Sequence, residues 1–167
     1  MQPLPSCLPA PTTNSLSMVA PSSIGLENPG IKPVLDIHSR IWKDWQVPVI
    51  LSIAGERIEE YGELAKKING TPGIAGLELN ISCPNVAGGL EFGQDSTATS
   101  EVVSLVKENT ALPILVKLSP NVTNIEEIAL AAESSGANAL TICNTLVGID
   151  VDPAEGRSQL GTTTGGI

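Results

Sequence analysis

The sequence predicts an α/β chain built on a parallel sheet, about four consecutive βα units forming a partial (β/α)8 TIM barrel. Three observations carry this expectation. The 167 residues are 41% hydrophobic but only 2% aromatic, so the core must be aliphatic, which suits parallel strands covered by helices. Aliphatic runs alternate strictly with segments of helical period. Polar residues also stand at the C-terminal ends of those runs. A barrel gathers such ends on one rim, whereas an open doubly wound sheet spreads them along an edge.

Taken in order, residues 1–30 are rich in Pro, Ser and Gly without a sustained period and read as loop. The domain division places an irregular segment over 1–21 and the partial barrel over 22–167. Val34, Ile37, Ile41 and Trp45 recur at helical spacing, predicting a helix that ends before "VP". "VPVILSIAG" reads as a strand. Helix 56–69 follows, with Ile58, Tyr61, Ala65 and Ile68 on one face and Gly70 as its C-cap. The next unit is strand "IAGLELNIS", a Gly-containing loop, and helix 97–109 turning Val102, Leu105 and Val106 inward. Strand "LPILVKLS" precedes a helix opened by Asn124 and Glu127 in a capping-box arrangement, carrying Ile125, Ile128, Ala129 and Ala132 and stopping near Gly136. Strand "NALTICN" and a Gly/Thr-rich tail complete the order β-α-β-α-β-α-β. Four strands are half a barrel, and a whole one takes about 250 residues. The chain is therefore expected to be an internal piece of a longer one.

Composition excludes several function classes. A net charge of −9 is not a nucleic-acid footprint. Cys7, Cys83 and Cys143 form no C-x-x-C pair, so neither a zinc site nor a disulfide framework is expected, and a reducing cytoplasm is the default. No apolar run approaches a membrane span, and the opening "MQPLPSCLPAPTT" is not a signal peptide. No G-x-G-x-x-G follows a strand, which removes support for a Rossmann site.

Chemistry concentrates at the strand ends. Ser52, Asn80, Lys117 and Asn144 each close a different predicted strand, with Cys143 beside the last. Asn80–Asn85, "NISCPN", places two carboxamides, a hydroxyl and a thiol behind an apolar run, where they do nothing for packing. A thiol with an unperturbed pKa of about 8.5 can be tuned into a base, although a lone cysteine is also compatible with inert packing. Carboxamides donate and accept at once and could match a polar ring edge, yet an Asn after a strand also caps turns. Lys117 interrupts an apolar strand and needs an anion, unless it snorkels from an edge. His38 reads as structural or exposed. Glu56, Glu59, Glu60 and Glu63 read as a solvated helix face.

"ELNISCPNVAGGLEFGQD" strongly resembles the dihydroorotate dehydrogenases, in particular their class 1B, NAD-linked catalytic subunits. The likeness continues through "SSIGLENPG", "VKLSPNVTNIEEIA", "GANALTICNTLVGIDVD" and "TTTGGI", in the family's order, over roughly residues 22–167. It implies an FMN-dependent barrel that oxidises (S)-dihydroorotate to orotate in de novo pyrimidine (UMP) biosynthesis. Electrons would pass to NAD+ through a partner subunit carrying FAD and a 2Fe-2S cluster, in a heterotetramer built on a homodimer. By resemblance Cys83 is the catalytic base. Ser52, Asn80, Lys117 and Cys143 contact the flavin, Lys117 at its ring. Asn80, Asn85, Asn144 and Thr145 meet orotate, as does the loop Ser22, Ser23, Ile24, Gly25 and Leu26. No metal site is implied in this chain. The departures are a missing flavin-binding strand and lysine-bearing segment before "SSIGLENPG", a stop soon after "TGG", and Ser22 where the family usually has Asn. Two rivals remain. One is a dihydropyrimidine dehydrogenase-like pyrimidine reductase barrel, which shares S-C-P. The other is an inactive half-barrel that binds no flavin.

Overall fold

The computed structural model describes residues 29–81, 91–158 and 163–166. Three consecutive pieces open it as one unbroken helix: α1 (Ile31–Pro33), a π-helical stretch (Val34–His38) and α2 (Ser39–Trp42). Strand β1 (Ile50–Ile53), helix α3 (Ile58–Ile68) and strand β2 (Gly76–Asn80) follow. A 3-10 turn (Phe92–Gln94) leads into α4 (Ser96–Asn109), then β3 (Ile114–Lys117), α5 (Ile125–Ser134) and β4 (Ala139–Thr141). Four two-residue strands come last: β5 (Val147–Gly148), β6 (Val151–Asp152), β7 (Arg157–Ser158) and β8 (Gly165–Gly166).

The main sheet is parallel, and its spatial order β1-β2-β3-β4 repeats the chain order. A doubly wound sheet reverses direction at a switch point; this one never does. Crossovers of one hand, all stepping the same way, lay their helices on a single face. α4 accordingly packs against both α3 and α5. This is the wall of a partial TIM barrel.

Alternation along the strands separates two chemistries. Leu77, Leu79, Ile114 and Val116 bury completely in one core with Tyr61, Ala65, Val102 and Val106 from the helices. The residues between them, Glu78, Asn80 and Lys117, lie only half-buried on the opposite face, with Ser52 and Thr141 in register.

Local chemistry fixes the helix ends. Asp95 caps α4, its Oδ1 accepting from the Ala98 N–H at 2.7 Å. Asn124 caps α5 by accepting from the Glu127 N–H at 3.3 Å. The expected capping box is only half made, because the Glu127 carboxylate instead accepts from the Ser96 hydroxyl at 2.8 Å. In the first turn of α3, Glu60 accepts from the Glu56 N–H at 2.9 Å and pairs with Arg57; the first contact chiefly holds its carboxyl below the usual range. Gly70 follows α3 with φ +75°, the left-handed conformation expected after a helix.

Three expectations need correction. The first helix ends at Trp42, so Trp45 lies beyond it, 55% exposed, with Ile37 and Ile41 also facing outward. Ile31, Leu35 and Trp42 pack against the core instead, with Ser39 buried beside them; these positions also recur at helical spacing and mark a neighbouring face of the same helix. The last strand stops at Thr141, leaving Ile142 exposed rather than in the sheet. Leu105 is half-buried, and Val103 takes the fully buried place beside Val102 and Val106.

Gly73 offers a sharp test of the helix–sheet junction. Its φ is +87°, and a Cβ there would stand 2.5 Å from the Lys43 nitrogen and 2.6 Å from the Ser39 carbonyl oxygen. Both are backbone atoms and cannot swing aside. Gly73→Ala is expected to cost at least about 1–3 kcal/mol, the range for a forced unfavourable φ, read as a lowered unfolding midpoint in denaturant.

Candidate functional site

The site is the concave, polar face of the main sheet at its C-terminal end. Asn80 and Lys117 are the last residues of β2 and β3 and stand directly in register. Lys117 is also level with Thr141 on β4, and Ser52 on β1 is level with Glu78. The strand ends therefore converge as their sequence placement anticipates, with Ser52 one step below Asn80.

Glu78 organises this face. Its Oε1 accepts from the Ser52 hydroxyl at 3.2 Å and lies 3.4 Å from the Lys117 ammonium. Its Oε2 accepts from the Thr141 hydroxyl at 2.9 Å. One carboxylate on β2 thus ties together side chains from β1, β3 and β4. The Lys117 and Glu78 side chains keep only 29% and 17% of their exposure, so each charge is compensated where water is scarce.

A carboxamide pair lies above. Asn144 donates through Nδ2 to the Asn80 Oδ1 at 3.0 Å, bridging from beyond β4 to the end of β2. The Asn80 backbone carbonyl accepts from the Tyr61 hydroxyl at 2.8 Å, so the buried α3 tyrosine fixes the end of β2 from behind. The Tyr61 ring meets Phe92 edge-on, with centroids 5.9 Å apart. Beyond β4, the Asn144 N–H donates to the Leu118 carbonyl at 2.9 Å, and the Thr145 N–H donates to the Asn144 Oδ1 at 2.8 Å. Asn121 clamps this segment, donating to the Thr145 carbonyl at 3.0 Å and accepting from the Val147 N–H at 2.9 Å. Thr145 and Cys143 are exposed on it, and Cys143 is a free thiol. A cleft of about 380 Å3 opens beside β1, lined by Ile31, Val34, Leu51, Ser52, Ile53 and Asn80.

Ser52, Asn80, Lys117 and Asn144 are thus brought together. Cys83, Asn85, Ser22, Ser23, Ile24, Gly25 and Leu26 lie outside the described residues. Glu78, Thr141 and Asn121 are what sequence reasoning missed. Glu78 carried a usable signal: like Lys117, it is a charge inside an aliphatic strand, and two such charges on adjacent strands invite pairing. Nothing marked Asn121 or Thr141. His38, half-buried, stacks on Trp42 with centroids 5.6 Å apart, a structural role. Among the described residues no group of His, Cys, Asp and Glu side chains could hold a metal ion, and no helix is long and apolar enough to cross a membrane.

The donor set suits the ring of a flavin. Such a ring presents alternating acceptors and donors along one edge, which carboxamides and hydroxyls can match, and it becomes electron-rich on reduction, which an ammonium stabilises. Asn80, Asn144, Ser52 and Lys117 supply those groups on one face.

Comparison with known proteins places this face in context. The catalytic subunit of dihydroorotate dehydrogenase B (NAD(+)) from Desulforudis audaxviator is 51% identical over 148 residues, which is 87% of this chain and 48% of that protein. Proteins of the same name from Desulforamulus reducens and Geotalea uraniireducens are each 48% identical over 147 residues, with the same shares covered. The chain spans about half the length of these curated relatives. A solved carboxyl transferase domain of Rhizobium etli pyruvate carboxylase, in complex with 3-bromopyruvate, overlaps 57% of this chain and 16% of its own. The TM-score is 0.44 at 15% identity, too slight to weigh on the fold. The sequence profile described as dihydroorotate dehydrogenase matches residues 8–167, and the chain belongs to the dihydroorotate dehydrogenase family.

Proposed function

We propose that the full-length protein containing this chain oxidises (S)-dihydroorotate to orotate with FMN, in pyrimidine biosynthesis. The observation that carries the proposal is the union of Lys117, Asn80 and Asn144 on one concave face, in a chain about half identical to relatives named for that reaction. Bound FMN supplies a hydride acceptor. The protein's part is to hold the substrate against it and to remove a proton. Cys83, three residues beyond Asn80 in the sequence, accepts that proton as a thiolate from one ring carbon while hydride leaves the neighbouring carbon for the flavin, and the two C–H bonds become a C=C bond. Asn80, Asn85, Asn144 and Thr145 orient the pyrimidine together with residues Ser22, Ser23, Ile24, Gly25 and Leu26, and Lys117, Ser52 and the Cys143 backbone hold the flavin. The relatives' printed name, with its NAD(+) and its catalytic subunit, supports NAD+ as acceptor and a second subunit; FAD and a 2Fe-2S cluster in that subunit would carry the electrons to NAD+. A homodimer of this chain within a heterotetramer in the cytoplasm completes the proposal.

The test is anaerobic mixing of the full-length holoprotein with dihydroorotate or with uracil plus reductant. Dihydroorotate is expected to bleach the flavin, and uracil to leave reduced flavin unchanged. Reoxidation by uracil without bleaching by dihydroorotate would overturn the proposal in favour of a pyrimidine reductase.

A further inference from the structure

We infer that Glu78 is a positioning residue that sets Lys117 against the flavin, an inference resting on the flavin role proposed for that lysine. Lysine is a flexible point charge with four side-chain torsions, and left alone it would sample many positions on an open concave face. Here a carboxylate 3.4 Å away tethers it, and the carboxylate is itself anchored on two sides. Ser52 donates to Oε1 and Thr141 donates to Oε2, so neither oxygen can turn away without losing a partner. The anchors come from β1 and β4, the two outer strands of the sheet, so the position of the ammonium is referred to the whole sheet rather than to β3 alone. Glu78 also offsets the charge of Lys117. The field that the lysine presents to a neighbouring ring is that of a paired ammonium, strong enough to favour an electron-rich edge without binding it as a bare cation would.

Two properties of the bound flavin should therefore depend on Glu78 through Lys117. Removing the carboxylate charge leaves the ammonium uncompensated, which favours the reduced, more negative ring and raises the midpoint potential. It also frees the ammonium to leave its place, which weakens binding of the oxidised cofactor. A purely structural residue would alter neither in a way that depends on Lys117.

The experiment is a double-mutant cycle of Glu78→Gln and Lys117→Ala in the full-length holoprotein. It reads the FMN dissociation constant by fluorescence and the midpoint potential against reference dyes, without turnover. Glu78→Gln is expected to raise the dissociation constant roughly 2- to 100-fold, the span for contacting residues, and to make the potential more positive. In the Lys117→Ala background both effects should shrink to less than a third. Thr141→Val, which removes one anchor and keeps the charge, should weaken FMN binding in the same direction by less, and it serves should Glu78→Gln fail to fold. Equal effects of Glu78→Gln in both backgrounds would overturn the inference and leave the flavin reading standing. FMN binding and potential unchanged in Lys117→Ala alone would overturn that reading, and this inference with it.

Discussion

In the full-length enzyme, Cys83→Ala is expected to slow flavin reduction by dihydroorotate about 10²–10⁴-fold, the typical loss when a positioned acid–base group is removed. The flavin itself should stay bound, because the proposed flavin contacts of Asn80 and Lys117, at the ends of β2 and β3, are left in place. Cys83→Ser should also be slow. A hydroxyl ionises far less readily than a thiol and needs a further group to take its proton. Anaerobic stopped-flow bleaching across pH separates this from a packing role. Wild-type reduction should accelerate as the thiol ionises, and the alanine variant should lose that limb. Reduction at the wild-type rate by Cys83→Ala would assign the cysteine to packing.

The largest loss of stability is expected from Leu77→Ala. Leu77 is fully buried on β2, an inner strand of the main sheet, between the β1 and β3 backbones and beneath α3 and α4. Removing its side chain should cost about 2–5 kcal/mol, since the interior cannot close over the cavity left behind. That is a large share of the roughly 5–15 kcal/mol that holds a domain together. Leu130→Ala on α5, 56% exposed, should change stability by less than about 0.5 kcal/mol. Urea unfolding of both variants gives the comparison. A small loss at Leu77 would mean that β2 is not a core strand.

What was legible followed from periodicity. The four strands of the main sheet and helices α3, α4 and α5 were readable because aliphatic residues recur at spacings that only one secondary structure can bury. Ser52, Asn80, Lys117 and Asn144 were readable as a group because polar residues at strand ends have no packing use. The first helix was misjudged at its face because two apolar sets recur there at helical spacing, Val34, Ile37, Ile41 and Trp45 on one side and Ile31, Leu35 and Trp42 on another, and periodicity alone does not say which one the sheet covers. Strands β5 to β8 were invisible: two-residue strands carry no period. The hairpin of β6 and β7 rests instead on the Asp152 side chain, which accepts from the Ala154 N–H at 2.7 Å, and on Gly156 at φ +65°. Glu78 was overlooked for a different reason. Its partners lie 26, 39 and 63 residues away, distances at which only the register of the folded sheet says who meets whom.

The chain-ordered sheet has a temporal side. During synthesis the N-terminal units emerge first, and each can dock on the one before it without waiting for distant sequence. β1 meets β2 across a connection of a few tens of residues, and β3 then adds to an edge already made. The carboxylate of Glu78 does not follow that schedule. Ser52 is there when β2 arrives, Lys117 comes with β3, and the hydroxyl that satisfies the second oxygen comes only with β4. Until then the nascent wall carries a half-answered acid at its centre. Arrival of the fourth strand completes the pattern of charge as well as adding width, and the ribosome must release residue 141 before both oxygens of Glu78 have their partners.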